Sequence, residues 1–106
     1  MPGPITLPHP SRDELTVTSV LAALSDPERL AIVRQLADGP LEMAQCFMSA
    51  PEMPKSTRSH LMKVLREAGV VQNDPAPQGP GRVIHLRRAD LDARFPGLLD
   101  SVLAST

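Results

Sequence analysis

The chain has no tryptophan, no tyrosine, one cysteine and only two aromatic residues, Phe47 and Phe95. Without an aromatic platform it is poorly equipped to stack unpaired bases, which argues against single-stranded nucleic acid or RNA as a ligand. A single thiol, Cys46, excludes an internal disulfide and fits a reducing compartment. No apolar run approaches the roughly 18 residues of a membrane span, and no basic stretch followed by an apolar one opens the sequence. A cytoplasmic protein with no membrane partner is expected. Also lacking are a nucleophile with a base, paired carboxylates and a phosphate-binding glycine loop, so no enzymatic activity is expected. His9, His60 and His85 are scattered. They show no ligand spacing, and one thiol among several methionines does not make a metal site. No metal and no cofactor are expected.

The 106 residues suffice for one domain and one core. Residues 1–12, with four prolines and a glycine, predict a flexible irregular arm, and 13–106 the folded domain. From Asp13 onwards Leu15, Val20, Leu21 and Leu24 recur near one helical face. Ser25-Asp26-Pro27-Glu28 starts a second helix, with Ser25 as the expected cap and Glu28 completing a capping box; Asp38-Gly39-Pro40 ends it. A short third helix fits Leu41–Ala50, with Met43, Phe47 and Cys46 inward. The fourth spans Lys55 to Ala68 and stops at Gly69, with Leu61, Met62, Leu65 and Ala68 on its inner side. Val70–Gln72 and Arg82–Arg88 read as strands around a tip at Asp74–Gly81. A last helix starts at Ala89-Asp90 and is interrupted or bent at Phe95-Pro96-Gly97. The fold class is therefore mainly α with a small β-hairpin, a winged helix-turn-helix in the order helix-helix-helix-helix-strand-strand-helix.

Charge is concentrated in this last helix-plus-hairpin unit. Positions 54–88 hold Lys55, Arg58, Lys63, Arg66, Arg82, Arg87 and Arg88 against Glu67 and Asp74, a local charge of +5, whereas the whole chain has 11 basic and 12 acidic residues. A basic helix beside a basic hairpin points to duplex DNA. Lys55, Ser56, Thr57, Ser59, His60 and Lys63 are the candidate DNA-binding residues of the helix. Short hydroxyls at a helix start let backbone amides approach phosphates, and such side chains also reach base edges in a major groove. Arg82, behind Gly79 and Gly81, suits a phosphate or minor-groove contact from the wing. Arg87 and Arg88 fit structural or distal phosphate roles. Leu15, Val20 and Leu21 with Leu91, Leu98, Leu99 and Val102 either close the protomer's core or form a homodimer interface, and the need to read two half-sites favours the interface. Cys46 is a possible redox sensor, although a lone cysteine in an apolar helix is more often inert.

Leu24–Asp38 (LSDPERLAIVRQLAD), Ser56–Val71 (STRSHLMKVLREAGVV) and the Arg82–Arg88 strand resemble the arsenic-repressor (ArsR/SmtB) family of bacterial winged-helix regulators. The resemblance implies a homodimer built through the first and last helices, a palindromic operator, transcriptional repression, and in many members release from DNA by an inducer. The chain departs from the family pattern at Arg58, where an apolar residue is usual, and at Leu61, where a histidine is usual; its histidine stands one place earlier, at His60. An altered DNA register is expected there. The Cys-x-Cys pair and the histidine-rich last helix of metal-sensing members are missing, so metal sensing does not carry over. The sequence names no inducer. A winged-helix module that binds a protein partner rather than DNA is the alternative.

Overall fold

In the computed structural model, which describes residues 6–105, five helices surround a three-stranded antiparallel sheet. The helices are α1 (Val17–Leu24), α2 (Pro27–Leu36), α3 (Lys55–Glu67), α4 (Arg88–Arg94) and α5 (Leu98–Ala104). The strands β1 (Leu41–Glu42), β2 (Val71–Pro75) and β3 (Arg82–Leu86) lie in the order β1–β3–β2. In register, Asn73 faces Ile84 and Pro75 faces Arg82 across the wing. Among the described residues no helix is long and apolar enough to cross a membrane.

Each helix starts where a side chain or a proline interrupts the preceding turn. Thr16 caps α1 by accepting the Ser19 N–H at 3.3 Å. Asp26, not Ser25, caps α2: its carboxylate accepts the Arg29 N–H at 2.9 Å, and Pro27 occupies the first turn. Ser25 instead closes α1, its hydroxyl donating to the Ala22 carbonyl at 2.7 Å. The expected capping box is therefore displaced by one residue, because Asp26 is the residue that adopts extended backbone.

Two further elements differ from expectation. In place of a helix over 41–50, Leu41 and Glu42 pair with Ile84 and Val83, and a 3-10 turn covers Met43–Phe47. A two-residue strand has no alternation for a periodicity argument to detect. The wing strand β2 continues to Pro75, which shortens the tip to residues 76–81, and Arg87 and Arg88 leave the sheet to begin α4. The break at Phe95–Gly97 is as the sequence implies, with Gly97 at φ +81°.

The core lies between α1, α2, α3 and the inner face of the sheet. Ile84, Val70 and Val71 from the sheet meet Val33, Leu36, Leu61, Met62 and Leu65 from the helices. Burial of each such side chain contributes roughly 1.5–3 kcal/mol. Leu15, Val20, Leu91 and Leu99 also belong to this core. Their assignment to an intermolecular surface is corrected here: buried within the protomer, they have no area left to offer a second copy.

Residues 6–12 do not form a loose arm. Pro8 and Pro10 present carbonyls to Arg66 and Arg87, each at 2.7 Å, and the Arg12 guanidinium pairs with Asp90 at 2.7 Å. This segment is a strap across the C-terminal end of α3 and the outer edge of β2. The first five residues of the expected arm, and Thr106, lie outside the described residues.

Candidate nucleic-acid interface

Helix α3 buries Leu61, Met62 and Leu65 and turns the opposite face outward. At 100° per residue the stripe so presented runs Ser56, Ser59, His60, Lys63, and all four are exposed. Thr57, also exposed, borders a recess shared with Glu28 and the 49–54 turn. Lys55 and Ser59 line a cleft of about 540 Å³ between α3, Phe47 and the wing tip. The candidate residues of the helix thus share one surface, flanked by the wing.

The start of α3 is open. Pro54 occupies the cap position with no side-chain hydrogen bond, and the first turn has no acidic residue. The first amides of the helix therefore lack a capping acceptor, and the dipole leaves that end attractive to anions.

The basic segment divides sharply once its partners are known. Arg58 points back from the outer face: Nε donates to the Met53 carbonyl at 2.9 Å, and Nη2 to those of Pro51 at 2.9 Å and Ala50 at 3.4 Å. Its guanidinium also lies 5.5 Å from the Phe47 ring centroid. Arg66 and Arg87 hold the strap. Arg88 pairs with Asp100 at 2.8 Å and Asp92 at 3.8 Å. Arg82 donates to both the side-chain and main-chain oxygens of Asn73, each at 2.9 Å. The expectation of an arginine delivered by a flexible tip is corrected: Arg82 is anchored to the neighbouring strand, at the base of the wing. Among the described residues, the cations of 54–88 without a partner are Lys55 and Lys63.

Neither departure at Arg58 and Leu61 alters the outer stripe. Leu61 is buried in the core, where an apolar side chain is required, and Arg58 serves the turn before the helix. The outward histidine is His60.

Two further candidates resolve differently. Cys46 is 2% exposed, and burial pushes its thiol up to about 11. A protonated, inaccessible thiol is unsuited to redox sensing, and that expectation is corrected. Of the proposed interface residues, Leu21 is 45% exposed on α1, beside Val17 at 42%, while Leu98 and Val102 of α5 are half-buried. Val20, Leu24, Leu98 and Leu99 border one small apolar recess, which places α1 and α5 side by side.

Asn73 is the residue that sequence reasoning missed. It is 4% exposed in a strand of otherwise ordinary polar character, Gln72-Asn73-Asp74. Nothing local distinguishes it from its solvated neighbours.

Residues 26–73 match the family model of bacterial regulatory proteins of the arsR family. The chain is 41% identical over 69 residues to the HTH-type transcriptional regulator NmtR of Mycobacterium tuberculosis. That match spans 65% of this chain and 57% of that protein. The fold is similar to the homodimeric winged helix-turn-helix DNA-binding domain of a possible ArsR-family regulator from Mycobacterium bovis, with a TM-score of 0.62 and 26% identity over 83% of this chain and 78% of that one. It is also similar to the transcriptional repressor BigR of Xylella fastidiosa, with a TM-score of 0.57 and 26% identity over 74% and 86% of the two chains.

Proposed function

Because the chain belongs to the arsR family of bacterial regulatory proteins and is folded as a winged helix-turn-helix, we propose that it is a cytoplasmic homodimeric repressor that binds a palindromic operator in duplex DNA. The observation that carries this reading is the outward stripe Ser56–Ser59–His60–Lys63 on a helix whose N-terminus has no side-chain cap. Small hydroxyls and an imidazole fit a major groove, and Lys55 and Lys63 supply charge to phosphates. The wing stands beside the helix at the distance set by the cleft they share. Repression follows if the operator overlaps a promoter.

Dimerisation rests on the apolar patch of Val17 and Leu21 next to Leu98 and Val102. A two-fold axis through this patch would present two copies of α3 to two half-sites.

Fluorescence anisotropy with a duplex taken from the gene's own upstream region tests the reading. Lys55→Ala and Lys63→Ala should each reduce the salt slope by about 0.9. Ser59→Ala and His60→Ala should change the ranking of operator variants, by about 1–3 kcal/mol where a base contact is lost. Absence of salt-sensitive binding to any duplex sinks it. The internal engagement of five of the seven cations of 54–88 favours a second reading, a winged-helix module for a protein partner. That reading requires a stoichiometric partner retained at high salt and no DNA binding.

A further inference from the structure

The strand order leaves β2 at the edge of the sheet, and its outward amides need partners. The strap supplies one. His9 Nε2 accepts the backbone N–H of Asn73 at 2.9 Å. Two residues further along the same edge stands Pro75, which has no N–H to satisfy. The two prolines flanking His9 predispose the strap to an extended form, and Arg66 and Arg87 clasp the carbonyls on either side. Asn73 then passes the restraint onward, because its remaining main-chain oxygen and its side-chain oxygen both hold Arg82 of the wing.

We propose that His9 is a positioning residue for the wing, accepting the Asn73 amide while its imidazole is neutral and letting go of that edge when Nε2 is protonated. Since Nε2 accepts, the neutral ring carries its proton on Nδ1. A second proton, on Nε2, sets donor against donor, and the hydrogen bond to Asn73 is lost. The charged groups facing the ring come from three elements: Asp74 on β2 favours the proton, whereas Arg66 on α3 and Arg87 ahead of α4 oppose it. Burial opposes it most, and the net effect holds the imidazole below its ordinary value of 6.5. A histidine depressed in the docked state binds fewer protons there than when undocked. Docking of the strap is thus complete above the ordinary value and weakens as pH falls below it, by up to about tenfold per pH unit. The consequence for DNA rests on the function proposed above; the latch itself does not.

Amide hydrogen exchange on the full chain tests it without DNA. Between about pH 7.5 and about pH 5.5 the protection factor of the wild-type Asn73 amide should fall on the order of tenfold, with that of Leu65 in the core unchanged. His9→Gln keeps an acceptor but cannot gain a proton, and should show no such fall; His9→Ala should be poorly protected at both values. Unchanged wild-type protection, an equal fall in His9→Gln, or a parallel fall at Leu65 would each overturn the proposal. With a duplex from the upstream region, wild-type affinity should drop more over the same interval than that of His9→Gln. If no variant binds any duplex, the DNA reading fails while the exchange data still decide the latch.

Discussion

The guanidinium of Arg58 lies over the ring of Phe47, 5.5 Å from its centroid, and so ties the start of α3 to the 3-10 turn that precedes it. The same group donates to three carbonyls of the 50–53 turn. A charged side chain on the helix is in this way used as a clamp within the helix-turn-helix. Arg58→Ala should destabilise the fold by about 1–3 kcal/mol, combining hydrogen bonds from a charged donor with a cation–π contact. Its salt slope for DNA should equal that of the wild type, because the guanidinium faces away from the outer stripe. Denaturant titration and a salt series of binding check both halves. A slope reduced by about one would mean that Arg58 reaches a phosphate after all.

Gly69 ends α3 at φ +82°, and a Cβ there would stand 2.0 Å from Leu15 Cδ2 and 3.2 Å from Pro10 Cγ. Leu15 is a fully buried side chain with nowhere to retreat. Gly69→Ala should therefore cost about 2–4 kcal/mol, joining left-handed strain to overpacking. At Gly79, φ +72° but with open space around the site, Gly79→Ala should cost only about 1–2 kcal/mol. Paired urea titrations should preserve that order.

Helix α3 and the hairpin were legible because their signals are local: a 3.6-residue apolar period, a glycine stop and two strands separated by a proline- and glycine-rich tip. The use of the arginines was not. All nine arginines of the chain hold carbonyls, carboxylates or Asn73, several across long separations, as with Arg66 to Pro8 and Arg87 to Pro10. Charge counting along a sequence registers how many cations a segment has and says nothing of where each points. The strap was misjudged for the same reason: prolines predict irregular backbone, and only tertiary partners decide whether that backbone is held.

Burial of Cys46 gives a direct chemical expectation. With the thiol pushed up to about 11, only on the order of 0.1% is thiolate at about pH 8, and the side chain is inaccessible besides. A thiol reagent should react with the native chain only as fast as it opens, and promptly in denaturant. DNA affinity should be the same before and after mild peroxide treatment. A fast native reaction would restore Cys46 as a sensor.

The apolar residues of α1 should separate into two classes. Leu21→Glu removes exposed surface and should yield a folded monomer by sedimentation, with weaker DNA binding at low protein concentration. Val20→Ala empties a core position and should lower stability by about 1–3 kcal/mol at unchanged association state once folded. Equal effects of the two changes on assembly would place the interface elsewhere.

The strap has a second acid-sensitive tie. Arg12 first, then Arg87, holds the Asp90 carboxylate below its ordinary range. A depressed carboxylate stabilises the docked strap above that range and loses its contribution as pH falls through its lowered value. Acid should accordingly release the strap in two stages, His9 first and Asp90 later. Asp90→Asn abolishes the later stage, loosens the Arg12 end already at neutral pH, and leaves the His9 stage in place. Amide exchange at Arg12 and Asn73, followed together across the acid range, distinguishes the two. If both amides open in a single step that Asp90→Asn leaves unaltered, the ties act as one unit and the carboxylate has no separate part in holding the strap.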